Sequence, residues 1–380
     1  MSIKYCSKCL FPNTKPDLYF NADDVCDACT SAEMKHNKFK DNNKKSIDWE
    51  KRLDDLHKII NEKKIHNKGA YDCVIPVSGG KDSTWQVYVA KNILHLNPLA
   101  VTFDQFDQTE TGLHNLNILK EIGVDHFHIT LNPLVIKKLV RKGLELIGDP
   151  YWVNHVGIFS IPINIASKFG IPIVIYGENP QFEYGGPEQN RLQMIMDKRW
   201  RQEFAGMRGL REEDMIDSEI KEKDLALLKY PKDEEIIENN VTSVFLGYFM
   251  KWDPIKHTKF VKKLGWKSLN EPSAGSWSNF ENCDMKYIDI RERIKYLKFG
   301  YGRATDQLNI EIRLGKMNRK DALELVKQID GNVSADNMRE FASYLEISEQ
   351  KLKSIINSFV NTEIFKKDDK GNFIEIIDRY

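Results

Sequence analysis

The chain has 380 residues, 41% hydrophobic and 29% charged, the proportions of an ordinary globular protein with room for a main domain and one or two smaller pieces. Lysine plus arginine equals aspartate plus glutamate at 56 each, so no whole-chain field draws it to nucleic acid or an anionic membrane. No apolar run approaches the ~20 residues that span a bilayer. The polar start MSIKYCSKC lacks the apolar stretch of a signal peptide, so a cytoplasmic location with reduced thiols is expected.

Residues 1–35 carry two cysteine pairs. Cys6-x2-Cys9 and Cys26-x2-Cys29 are separated by sixteen residues, a spacing that suits a metal held by four thiolates. A closed tetrahedral shell has no open position, so a structural Zn²⁺ is expected, folding a segment too poor in apolar residues to fold alone. Disulfides and an iron–sulfur cluster stay open as alternatives. The stretch KHNKFKDNNKKS then reads as a solvated linker. The segment SIDWEKRLDDLHKIINEKK predicts a helix with Ser46 as N-cap and apolar residues at helical spacing, and together these fill 36–70.

From Tyr71 short apolar runs alternate with amphipathic segments. CVIPV, PLAVTF, DHFHITL and IPIVIYG predict four strands. STWQVYVAKNIL, GLHNLNILKEIG, PLVIKKLVRKGLELIG and HVGIFSIPINIASKFG predict helices among them. Such alternation gives a doubly wound, mostly parallel α/β sheet, here expected over 71–265. Residues 180–240 interrupt the rhythm with mixed charge and read as an insertion over the sheet's edge. Within it QNRLQMIMDKRWRQ reads as a solvated helix rather than a nucleic-acid patch. VTSVFLGYFMKW restores a strand-like run, and 266–380 reads as mainly helical.

The first strand runs into Ser78-Gly79-Gly80-Lys81-Asp82-Ser83, and a helix leaves it. Adjacent glycines let backbone amides approach a phosphate, the helix start adds free N–H groups, and Ser78, Ser83 and Thr84 offer hydroxyls. Lys81 adds fixed positive charge. The pattern is neither GxxxxGK[ST] nor GxGxxG. Asp104 closes the second strand and Gly177 and Glu178 the fourth; in an open α/β sheet such strand ends border the ligand crevice. A carboxylate beside a triphosphate is tolerable chiefly where it holds Mg²⁺ or a substrate amine. Cys73 sits in a strand as a small hydrophobe, and nothing near Cys283 marks a nucleophile. The chain is therefore not expected to hydrolyse glutamine itself.

The SGGKDS loop resembles that of the N-type ATP pyrophosphatases, the PP-loop enzymes. Taken with the four cysteines and the segments YGENPQFEYGGPE, FLGYFMKWDP, KFGYGRATDQ and IRLGKMNRKDALELVKQIDG, the chain resembles the N-acetyl sugar amidotransferases of surface-polysaccharide and flagellar sugar pathways. The resemblance implies that the loop grips the β,γ-pyrophosphate of ATP, with Ser78 to Thr84, Asp104 and Gly177 as the nucleotide site and Lys81, Asp82 and Glu178 as catalytic residues. It implies AMP transfer to the acetamido oxygen of a nucleotide-linked sugar and displacement of AMP by ammonia. It further implies a separate glutaminase and a cyclase-like channelling subunit as partners. For the sugar nucleotide the expected contacts are Glu178, Glu183, Tyr184, Lys298 and Arg303. The rival readings are a tRNA-modifying PP-loop enzyme, which balanced charge disfavours, and a non-catalytic scaffold for a glutaminase, which the intact loop disfavours.

Overall fold

The computed structural model describes all residues except 1–2, 37–45, 68, 206, 370, 372 and 376–380. Its centre is a five-stranded, wholly parallel sheet in the order β3-β2-β1-β4-β5, formed by β1 (Cys73–Pro76), β2 (Pro98–Phe103), β3 (Asp125–Ile129), β4 (Ile173–Tyr176) and β5 (Thr242–Phe245). The fold class is thus the one expected from the alternation. Val74 pairs with Leu99 on one side and Val174 on the other, so the chain reverses its winding at β1 and opens a crevice there.

Both faces are covered because successive strand residues point to opposite sides. Cys73, Ile75 and Ile173 pack under α2 (Trp49–His66), α3 (Lys81–Tyr88) and α4 (Glu110–Ile122). Val74, Leu99, Val101 and Val174 pack under α5 (Pro133–Ile147) and α6 (Trp152–Phe169). That second core continues without a break into Ile290, Ile294, Leu297 and Phe341 of the carboxy-terminal helices. Among the described residues no helix is long and apolar enough to cross a membrane.

Three expectations are corrected. Asp48, not Ser46, caps α2, its carboxylate accepting from the Lys51 N–H at 3.0 Å, because the helix begins at Trp49 and the cap must directly precede it. Lys35 and His36 of the expected linker belong to α1 (Asp27–His36), Lys35 being buried, whereas its residues 37–45 lie outside the described residues. The segment QNRLQMIMDKRWRQ is not one solvated helix: Ile195 bridges Val244 and covers the edge of β5, and Met196 and Trp200 are buried in the core. The carboxy-terminal region is mainly helical as expected, and a small antiparallel pair, Phe365–Lys367 with Phe373–Glu375, follows its helices.

Candidate active site

Between β1 and α3 the chain turns through Ser78–Gly80. Gly79 has φ +88°, and a Cβ there would lie 2.5 Å from the Gly112 carbonyl oxygen, so only glycine fits. The Gly79 carbonyl accepts from the Trp266 indole at 2.9 Å, which fixes the turn from outside the sheet. The Ser78 hydroxyl accepts from the Gly80 N–H, and Ser83 and Thr84 both donate to the Gly80 carbonyl. The loop is held by its own hydroxyls before any ligand arrives.

The loop lines one end of a cavity of about 520 Å³ at the carboxyl ends of β1, β2 and β4. Its walls divide chemically. One stretch is apolar, with Val77, Val101, Phe103, Ile158, Phe159 and Pro162, and suits a flat heterocycle. The other carries Lys81, Asp82, Glu178, Glu281, Asp284 and Arg303. Gly177 lines the same cavity, and any Cβ on it would strike the Gln86 amide at 2.1 Å.

These charges are nearly buried, and Lys81, Asp82, Glu281 and Arg303 are paired with one another. The Lys81 ammonium lies 2.8 Å from Asp82 and 3.6 Å from Glu281, and Glu281 also pairs with Arg303. Asp82 is bonded on its other oxygen to the His257 ring at 2.8 Å, itself stacked on Trp85. Burial alone would push the Asp82 carboxyl up, but Lys81 and His257 hold it down at about 2. Burial would likewise lower Lys81, yet Asp82 and Glu281 more than offset it and the ammonium is kept. Glu178 has no such cation of its own. Burial first, and then the Asp82 charge, raise its carboxyl to about 7. Burial also raises Asp284, which bonds Gln105 at 2.6 Å and reaches Ser78.

The expected site residues do not all meet. Ser78, Gly80, Lys81, Asp82, Ser83, Gly177, Glu178, Glu183, Tyr184 and Arg303 line the cavity. Gly79 and Thr84 shape the loop from behind, Thr84 being buried against the Gly80 carbonyl. Asp104 lies off the cavity. It accepts from Thr130 at 2.9 Å and sits 3.3 Å from the His128 ring, because Phe103 and Gln105 take the inward positions of the alternation. Lys298 stands in a neighbouring basin, its ammonium on the Ile147 carbonyl. Glu183 touches the cavity but is ion-paired with Lys35. Sequence reasoning missed His257, Glu281 and Asp284. The latter two flank Cys283 in FENCDMKY, and a pair of acids around an apolar position was the one local signal.

The four cysteines form a second centre. All are buried, with ligand atoms within 4.8 Å of one another; Cys6 and Cys29 sulfurs lie 3.9 Å apart and those of Cys9 and Cys26 3.6 Å. Backbone N–H groups of Lys8 and Cys26 point at the Cys6 sulfur and the Arg313 guanidinium at Cys9, which favours thiolates and a bound cation. This module grips the segment after β4. Lys35 pairs with Glu183, the Asp27 carboxylate accepts from the Gly186 N–H at 3.0 Å, Arg191 donates to Ser31, and Arg313 donates to the Glu183 carbonyl. A structural metal site thus stands directly behind one wall of the cavity.

Residues 274–378 match a family model described as the C-terminal domain of WbpG-like LPS biosynthesis proteins. No curated protein matches the chain. Among solved structures, U34-tRNA thiolase NcsA from Methanococcus maripaludis with its 4Fe–4S cluster is similar at 13% identity and TM-score 0.33, over 87% of this chain and 90% of that one. NMN synthetase from Francisella tularensis is similar at 13% identity and TM-score 0.25, over 60% of this chain and 99% of that one. At those scores neither likeness bears on what this chain does.

Proposed function

We propose that the protein is an ATP-dependent, AMP-forming amidotransferase acting on the acetamido group of a nucleotide-linked sugar. The carrying observation is the Ser78–Ser83 loop opening into a cavity that also holds Arg303 and a carboxyl, Glu178, raised to about 7. The match of 274–378 to a lipopolysaccharide-biosynthesis domain supports a sugar acceptor.

In this reading the Ser78–Ser83 amides, with Lys81, receive the outer phosphates of ATP, while the Val101–Phe103 side takes the adenine. The acetamido oxygen attacks the inner phosphorus and pyrophosphate leaves, with Lys81 and Arg303 facing the charge that gathers on it. Mg²⁺ bound with the triphosphate would supply further charge neutralisation, for which Glu178 and Asp284, cavity carboxylates without an ion pair among the described residues, are available. Ammonia then adds to the activated carbon, AMP departs, and Glu178 takes a proton from the incoming nitrogen. A wet site would hydrolyse the activated sugar, so the buried walls matter as much as the charges.

No thiol here suits glutamine hydrolysis. Cys283 is buried with its thiol pushed up to about 11, and Cys73 is buried and raised further. We therefore assign ammonia delivery to a separate glutaminase, with a channelling subunit between them. We assign Zn²⁺ to the four cysteines, since thiolates about 2.3 Å from one ion stand roughly 3.8 Å apart, the spacing found. An iron–sulfur cluster, with each thiolate on a different iron, would spread them farther.

The deciding assay incubates UDP- and CMP-linked acetamido sugars with the protein, ATP, Mg²⁺ and ammonium. Mass spectrometry should show oxygen exchanged for NH, with AMP formed in equal amount. ADP as the spent nucleotide would sink the reading.

A further inference from the structure

Beside the loop cavity lies a second and larger one, about 780 Å³, between the carboxy-terminal helix Ile288–Phe299 and the segment after β4. The two share Pro180, Tyr184, Arg291, Glu292 and Arg303, which therefore form a partition with an open face on each side. The loop cavity has the volume of a single nucleotide-sized ligand, so ATP leaves no space there for a second nucleotide. A nucleotide-linked acceptor must keep its own nucleotide elsewhere.

The basin's chemistry meets that need. Phe204, Phe299, Tyr301 and Phe359 give it aromatic surface, on which a base can stack. Its cations are of two kinds. Arg291 is bound to Asp149 and Glu292, Lys295 to Asp306 and Glu292, and Arg208 to Asp149. Lys15 and Lys298 differ: neither has a carboxylate in ion-pair contact among the described residues, Lys15 meeting the Pro16 carbonyl and Lys298 the Ile147 carbonyl and the rings of Phe299 and Phe359. Lys298, half-buried on the aromatic wall and with no carboxylate in ion-pair contact, is the one of the two placed to meet an anion beside a stacked base. At the partition, the buried Nε of Arg303 has no hydrogen-bond partner. The ion pairs Lys81–Glu281–Arg303–Asp306–Lys295 run from the loop into the basin as one electrostatic unit.

We infer that this basin is the nucleotide subsite of the acceptor, holding a nucleoside diphosphate by Lys298 and the aromatic wall while the attached sugar passes between Tyr184 and Arg303 into the loop cavity. This inference rests on the reading of the loop cavity as the ATP site.

The test is titration calorimetry with UDP as the probe, on protein first saturated with a non-hydrolysable ATP analogue, followed by steady-state kinetics. UDP should bind one per chain beside the analogue. Lys298→Ala should weaken UDP by about tenfold, the scale of one lost charged hydrogen bond, and raise KM for the sugar nucleotide alike. Lys298→Arg should restore most of both, and KM for ATP should move less than about twofold. Displacement of UDP by the analogue would overturn the proposal, since both would then share the loop cavity. So would UDP binding that is indifferent to Lys298→Ala while Lys298→Arg binds normally. The two readings fail separately: UDP held in the basin without amination of any sugar would sink the amidotransferase reading alone, whereas amination with a KM unmoved in Lys298→Ala would sink the basin alone.

Discussion

Lys81 stands between two carboxylates, and its removal leaves each of them with another partner, Asp82 with His257 and Glu281 with Arg303. Lys81→Ala should therefore fold, with a cost of about 1–3 kcal/mol for the buried pairing it loses. AMP formation should drop by about 10²–10³, the effect of removing one preorganised group facing developing charge; normal turnover would show that the loop holds something else. Glu178 gives a second test. Its carboxyl is raised from 4.5 to about 7 on folding, so the folded chain holds a proton there that the unfolded chain releases. That proton's contribution to stability is complete below about pH 4.5 and is lost as pH rises to 7. Glu178→Gln should then melt higher than the wild type at pH 8 and converge with it toward pH 4.5. The same protein should lack the limb of kcat that rises through about pH 7. A melting difference that does not change with pH would remove the buried-acid account.

At the scale of elements, the cysteine module acts on the cavity through one segment. Glu183, Gly186 and Arg191 are each tied to α1 or to Arg313, and the segment between them carries Tyr184 into the cavity. Stripping the metal with a strong chelator should release about one zinc per chain and lower KM-dependent turnover of the sugar, while the Ser78–Ser83 loop, built on β1 and α3, keeps its affinity for an ATP analogue. Equal loss of both would mean that the module supports the whole fold instead. The loop has its own outside support in Trp266, whose indole donates to the Gly79 carbonyl. Trp266→Phe keeps the ring and removes that donor. It should weaken ATP by a few-fold, on the order of 1 kcal/mol, with little change for the sugar.

For the molecule as a whole, the proposed amination needs a nitrogen source, which the reading above assigns to a separate subunit. Ammonium should support turnover of the isolated protein and glutamine should not, as liquid-chromatography assay of glutamate would show. Glutamate release by the isolated chain would contradict the assignment of Cys73 and Cys283 as inert. The unbroken core from β1 and β2 to Ile290, Leu297 and Phe341 also means that the carboxy-terminal helices are part of the cavity's foundation.

Much of this was local and therefore readable in the chain. The order of strands and helices follows from apolar periodicity, the Ser78–Ser83 turn from residue types that must be adjacent to work, and the metal site from Cys-x2-Cys spacing, since ligands on one turn are near neighbours in sequence as in space. Asp104 marks where that reading stops: strand alternation turned it toward His128, and no motif reveals which face of a strand is wet. Glu281, Asp284 and His257 mark the complement. They reach the loop from 175 to 206 positions away, His257 on the helix Pro254–Val261 and Glu281 and Asp284 on the irregular stretch before Ile288, so only tertiary packing brings them there. Charge in the site was settled by burial and by partners, and both belong to the folded chain.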